Sequence, residues 1–424
     1  MKTLAKSALG VAVAAAVAAT SVQASEAVTM DPSLTFTYKN YYFHTKDKEP
    51  GGQKTNDWSH ALIADFDSGY VNDLVGAVVT AGYAGPLDVD PGAATNVPGG
   101  ADGKGDAISG FQQAYLKAQH SFSGVDFDGT VGVKKRGLET YSDSGSRVLS
   151  ASSTGYDLSV GAEGANLYFT EITGFSERTQ SGLSFDLDDG NDNAVENIRI
   201  FGGNYSYEGL DLVAEYGESK ELIEQLFLKA GYSFELDDMS SVDLDARYGK
   251  SKANGNLAAN DPEIGADYKA KYYNLNASYN YGNAYVGLGY NKTKDGDYID
   301  AYVDGNSDNF NSSLAQWEDY SLAGEKAYVV SGGYNFADQG LEGLSWDVWY
   351  AKGDDAEEIS DFKRREYGSY ISYAFDGSLE GLSLAWLYVN YRAQGDAGVD
   401  TFREDTLYDA DVNRLYLTYS VAAF

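Results

Sequence analysis

From Leu382 the chain reads Leu-Ser-Leu-Ala-Trp-Leu-Tyr-Val, with Leu382, Leu384, Trp386 and Tyr388 at every second place. The same start recurs: "SGVDFDG" at 123–129, "EGLDLVA" at 208–214, "EGLSWDV" at 342–348 and "EGLSLAW" at 380–386. Apolar residues with a period of two define a strand with one apolar face. A slip of one residue would turn that face over, so a turn repeated in one register fixes which side of each strand is greasy.

Such segments recur along the whole chain. The pattern predicts strands at 33–44, 57–67, 75–83, 112–122, 125–135, 155–163, 165–173, 195–206, 210–217, 224–234, 242–250, 267–280, 284–292, 326–336, 344–352, 365–375, 382–391 and 412–424. Most are near the nine to eleven residues that a tilted strand needs to cross a bilayer. Short connections (Ser123-Gly124, Glu208-Gly209, Tyr281-Gly282-Asn283 and 376–381) alternate with long polar ones at 84–111, 136–154, 174–194, 251–266, 293–325 and 392–411. One stretch, "SGLSFDL" at 181–187, looks like a strand start but falls within a long connection. The fold class expected is all-β: a single transmembrane antiparallel β-barrel of about 18 strands, with short periplasmic turns and long extracellular loops.

The first 24 residues stand apart. Lys2 and Lys6 precede an apolar run from Ala8 to Ala19, and Val22-Gln23-Ala24 follows. That is the pattern of a secretory signal peptide with a small-residue cleavage site. The domain reading is therefore a signal peptide over 1–24 and one barrel domain over 25–424. Beyond it no apolar run is long enough for a membrane-spanning helix. The mean hydropathy of −0.38 suits a soluble chain or a barrel that gives only alternate residues to lipid. A β-sandwich array or a propeller would also alternate. The signal peptide, the final Phe424 and tyrosines near strand ends (Tyr41, Tyr42, Tyr83, Tyr248, Tyr290, Tyr350, Tyr391) favour the barrel, whose apolar band is bounded by aromatic girdles.

These residues also carry a family resemblance. "YKNYYF" at 38–43, "DSGYVNDLVG" at 67–76, "SGSRVLSASSTG" at 144–155 and the run from "REYGSYISYAFDG" to "VNRLYLTYSVAAF" resemble, in order and spacing, the OprD-type outer-membrane porins of Gram-negative bacteria. The resemblance implies an eighteen-stranded barrel and a passive, substrate-selective channel in the outer membrane. It also implies an inward-folded constriction loop at 136–154, placing Ser146 and Arg147 at the narrowing. The stretch departs from the family in lacking a Pro after "SRVL". Another departure is Ala385 and Leu387, which occupy the places of paired lumen arginines that guide carboxylates in that family.

Strand phase predicts which charges face the lumen. Lys39, Lys117, Lys134, Arg199, Lys229, Arg247 and Arg414 are expected inside, with Asp65, Asp126, Asp128, Asp211, Glu215, Asp243, Asp245 and Asp347. Tyr115, Tyr205, Tyr272, Tyr370 and Tyr416 are expected to turn inward as stacking faces. The formal net charge of −33 comes from 31 basic and 64 acidic residues, much of the acid lying in the long connections. With the arginine ladder interrupted, the expected preference is for cations and neutral solutes, either sugars or amino-acid-sized molecules, over carboxylates.

Catalysis is the rival reading, as a protease-like or lipase-like barrel; a structural or adhesion barrel is a third. His44, His60 and His120 are scattered and neither G-x-S-x-G nor H-E-x-x-H occurs, so no catalytic residue is assigned. No acidic run has the spacing of a calcium loop, so no metal ligand and no cofactor is assigned. The expected partners are outer-membrane lipid, lipopolysaccharide and small hydrophilic solutes, with no nucleic acid. Both a monomer and a homotrimer fit the sequence.

Overall fold

The computed structural model describes residues 31–424 except 49–51, 53, 192, 263, 304, 306 and 398–405. The signal-peptide reading of 1–24 lies outside the described residues. The strands are β1 Ser33–Asp47, β2 Lys54–Asp67, β3 Val75–Val89, β4 Ile108–Phe122, β5 Val125–Lys134, β6 Ser152–Ala162, β7 Ala165–Ser176, β8 Ile198–Tyr207 and β9 Leu210–Ser219. They continue as β10 Ile223–Asp237, β11 Ser240–Ala253, β12 Lys269–Tyr281, β13 Ala284–Lys294, β14 Lys326–Asn335, β15 Leu344–Asp354, β16 Ser360–Ala374, β17 Leu382–Asp396 and β18 Asp409–Ala422. Each pairs antiparallel with its neighbours in sequence, and β1 pairs with both β2 and β18, which closes an 18-stranded barrel. All eighteen expected strands are present. Several run past the expected ends on the long-loop side, as β3 does to Val89.

Closure follows from local chemistry. The short turns at Ser123-Gly124, Glu163-Gly164 and Glu208-Gly209 place both central residues at positive φ (52° and 78°, 47° and 83°, 46° and 84°). That is the type I′ geometry, whose twist matches that of paired strands and which favours Gly at its second position. These turns explain the x-Gly before β5, β7 and β9; before β15 and β17 the glycine alone, Gly343 at 82° and Gly381 at 88°, takes positive φ after a short 3-10 turn, and in each case the next residue opens the strand.

The outer wall is an apolar belt. Leu62, Leu116, Val131, Leu158, Leu167, Phe201, Leu275, Leu288 and Val330, from nine different strands, each leave half or more of their surface uncovered. Apolar exposure on this scale needs a non-aqueous surround, and a lipid bilayer supplies it. On β18, Leu415, Tyr419 and Val421 are exposed, whereas Arg414, Tyr416 and Ser420 point into the barrel.

The core lies inside, where long loops fold back. One cluster joins Tyr141 and Ala151 of a loop to Ile172, Ile198, Ile200 and Ile223 of the wall, with Tyr302 of another loop. This reverses the expected phase of β8. Ile198 and Ile200 are fully buried, and Ile200 and Gly217 face Tyr302, so Arg199 points outward with Phe201. Arg199 is therefore not pore-lining; it forms a 2.8 Å ion pair with Glu171 on the outer face. Tyr205, four residues beyond Phe201, shares this outer face and stacks with Tyr207. The alternation rule assumed a wet lumen, whereas the lumen near the rim is filled by apolar loop residues. Tyr41 and Tyr391 are likewise buried inside and belong to no girdle; Tyr83 and Tyr350 are exposed on the outer wall. The stretch 181–187 forms no strand. It crosses the rim, where Ser181 Oγ donates to Ser109 O and Thr154 Oγ1 to Ser184 O.

A closed ladder with no free edge should resist detergent. The purified protein is expected to migrate as a compact β-rich species on electrophoresis when unheated and more slowly after boiling. Identical mobilities, or a helical circular dichroism spectrum, would contradict the closed barrel.

Candidate functional site

Strand-borne charges in the lumen are largely neutralised. Lys117 pairs with Asp67 at 2.6 Å, Lys134 with Asp157 at 3.2 Å, Lys229 with Asp211 at 2.9 Å and Arg247 with Asp245 at 2.8 Å. Toward the turn side, Asp126 accepts from Ser121 Oγ, Asp243 from Ser233 Oγ and Asn280 Nδ2, and Asp347 from Tyr285 OH. These residues line the wall but do not meet one another.

The narrowing is built by loops. Residues 135–151, between β5 and β6, cross the interior and bury Tyr141, Val148, Leu149 and Ala151. Arg136 ties the loop's base to Asp157, with Nε and Nη2 at 3.0 and 3.1 Å from the two carboxylate oxygens. Its tip reaches β9, where Glu215, 1% exposed, accepts from the Thr140 N–H and Oγ1, both at 2.6 Å, and from the Glu139 N–H. Tyr168 OH donates to the same carboxylate. A buried carboxylate is retained only when donors surround it, and this one has four.

A second loop, 295–325 between β13 and β14, also folds inward, which the sequence reading missed. Asn309 Nδ2 donates to the carbonyls of Leu138 and Glu139, Ser142 N–H to Ser307 O, and Tyr302 OH lies 2.8 Å from Thr140 Oγ1. Its base is pinned by Arg364, whose Nε and Nη2 each lie 2.7 Å from an oxygen of Glu325 with both side chains buried. Tyr272, Tyr298 and Phe310 pack its flank, ring centres 4.8 to 5.8 Å apart. The signal was present in its composition. "AYVDGNSDNFNSSLAQWEDY" carries Tyr302, Val303, Phe310, Leu314 and Tyr320, an apolar content that a loop left in water would not need.

Where the loops meet, unpaired cations collect. Arg147 lies 5.3 Å from the Phe43 ring; Arg414 lies 4.3 Å from Phe43 and 4.5 Å from Trp317. Arg178, from the loop after β7, donates to Ser144 and Ser146, and Arg147 donates to Ser146. Lys39 lies near Lys135, whose Nζ fills the space a Cβ on Gly145 would take. Among the described residues none of these five cations forms an ion pair. Burial, then Arg178 and Arg414, pull the Arg147 guanidinium down to about 9, and its Nε–H is closed from solvent with no acceptor. Arg147, Ser146, Arg414 and Tyr416, each expected at the pore, lie around Phe43 and the serines of this loop, with Lys39 beside Lys135. Arg178, Lys135, Phe43 and Trp317 were not foreseen. Adjoining them, Asp300, Asp308 and Asp319 of the second loop bring one carboxylate oxygen each within 4.8 Å of the others. Burial and then Asp308 push Asp300 up to about 7.

A lipid-facing barrel whose lumen is narrowed by charged, inward-folded loops is a membrane pore. The family comparison makes this specific: the "outer membrane porin, OprD family" model matches residues 28–423, and the chain belongs to that family. It is 26% identical over 382 residues to Porin D of Pseudomonas aeruginosa, spanning 85% of this chain and 82% of that one. Among solved structures it is similar to Pseudomonas aeruginosa OccK9 (OpdG), with a TM-score of 0.79, 20% identity and coverage of 92% and 98% of the two chains. Pseudomonas aeruginosa OpdO gives a TM-score of 0.74 at 20% identity, covering 93% and 98%. The protein is an outer-membrane channel of Gram-negative bacteria and not an enzyme.

Replacing Glu215 with Ala removes the acceptor for three backbone and side-chain donors at the loop tip. Each charge-assisted bond is worth about 1.5–3 kcal/mol, so the tip should detach. Single-channel recordings should show larger and noisier open currents than the wild type. An unchanged current would mean that Glu215 does not hold the constriction.

Proposed function

We propose that the channel passes amino-acid-sized solutes carrying one carboxylate, with a neutral or cationic remainder. The observation that carries this reading is the cluster Arg147, Arg178 and Arg414, unpaired at the narrowing and held by serine hydroxyls and aromatic faces. A solute carboxylate supplies an ionic partner and relieves the repulsion among the three guanidiniums. Phe43 and Trp317 give an apolar wall for the rest of the solute. This moves the organic preference from the neutral sugars expected on the strands alone, because the cations that matter arrive on loops.

For inorganic ions the acidic excess favours cations. A net −33 raises cation concentration at the mouth, within about 8–10 Å of the surface at physiological salt. The lumen's own strand-borne cations are mostly cancelled by partners. The reversal potential in a potassium chloride gradient is expected to show cation preference, increased by Arg147→Ala; chloride preference would contradict it.

The solute reading has its own test. Liposome swelling should be faster for a small amino acid than for its amide, and Arg147→Ala together with Arg178→Ala should cut that advantage by roughly tenfold. Equal rates for acid and amide through the wild-type channel would overturn it.

A further inference from the structure

The second inward loop carries a feature that solute passage does not use. Asp300, Asp308 and Asp319 converge from three separate parts of 295–325, each offering an oxygen within 4.8 Å of the other two. None of the three forms an ion pair among the described residues. Arg364, the nearest buried guanidinium, is already committed to both oxygens of Glu325. The backbone N–H of Phe310 holds the Asp300 carboxylate, leaving Oδ2 closed from solvent with no hydrogen-bond partner. A buried acceptor without a donor costs free energy unless something in the site satisfies it. A second and third carboxylate beside it make the cost larger.

We propose that Asp300, Asp308 and Asp319 form a divalent-cation site, for calcium in preference to magnesium, built into the inward loop of the channel. The donors are hard oxygens only, which suits these ions and excludes a preference for softer metals. Calcium binds oxygens at about 2.3–2.6 Å, so two of its ligands are at most about 4.6–5.2 Å apart. Oxygens that lie within 4.8 Å of one another can share one such ion. Magnesium demands near-ideal octahedral geometry, which three carboxylates from separate parts of a loop suit less well than the irregular coordination calcium accepts. Asp308 is exposed and leaves an entry path from the aqueous lumen, with water completing the coordination.

Two consequences follow. The ion would cross-link 300, 308 and 319, tying the strand-proximal half of the loop to the half that holds Trp317 against Arg414. It would also make the cluster beside the three arginines less negative, the ion's two charges being partly offset by any proton it displaces. Calcium would then stiffen the narrowing and move its selectivity toward anions. This inference stands apart from the solute reading, since it concerns the opposite charge on a different loop.

The test uses the refolded full chain free of lipopolysaccharide, because that lipid binds divalent ions itself. Terbium is the probe: Trp317, two residues from Asp319, and Tyr298 and Tyr302, two residues on either side of Asp300, are near enough to sensitise it. Wild type should give terbium emission that calcium displaces, and Asp300→Asn should weaken binding by roughly tenfold or more. Asp338→Asn, in a turn on the far side of the barrel, should bind as the wild type does. If Asp300→Asn fails to show the heat-modifiable mobility, Asp308→Asn, at an exposed position, takes its place. In bilayers, calcium should shift the wild-type reversal potential toward chloride and leave that of the Asn variant in place. No sensitised emission from the wild type, emission that calcium does not displace, or equal binding by wild type and both loop variants would overturn the site.

Discussion

Every backbone N–H and C=O in the bilayer must find its partner inside the protein, because hydrocarbon offers none. The pairing of β1 with β18, from Thr35 with Ala422 to Asp47 with Ala410, meets that demand by leaving no edge. The rest of the structure depends on this closure. An eighteen-strand ring encloses a lumen too wide to choose between small solutes, so selectivity must come from material placed inside it. The chain supplies it from the long loops, and the loops need anchors. Glu215 holds the tip of 135–151, and Arg364 with Glu325 holds the base of 295–325.

The anchoring groups and the selecting groups differ in a consistent way. Anchors are buried and fully paired: four donors converge on Glu215, and Arg364 reaches both oxygens of Glu325. Arg147, Arg178 and Arg414 are held by serine hydroxyls and aromatic faces, which position a guanidinium without neutralising it. A cation kept this way retains its field for a passing solute. The strand-borne pairs, such as Lys229 with Asp211, cancel locally and contribute mainly to the wall.

The barrel was legible in the sequence because its two governing signals are local. A period-two alternation and an x-Gly turn are each read within ten residues, and the eighteen strands follow from repeating them. What lies inside was only partly legible. Arg147 and Ser146 could be placed through a family resemblance in one loop, and Arg414 and Tyr416 through the phase of β18. Arg199 and Tyr205 were misplaced because β8 turns Ile198 and Ile200 inward onto a loop core that no strand pattern reveals. Arg178 and the three aspartates meet through loops far apart in sequence, and no spacing rule connects residues 147, 178, 319 and 414.

The account stands or falls on whether loop 135–151 occupies the permeation path. The chain has no cysteine, so Ser146→Cys would introduce a single thiol. Exposed Ser146 lies between Arg147 and Arg178, whose guanidiniums both reach its hydroxyl. Single-channel current should fall in one step when a methanethiosulfonate reagent adds to that thiol. An anionic sulfonate reagent should react faster than a cationic ammonium one. A current that persists unchanged after complete modification would place the loop outside the path and contradict the account.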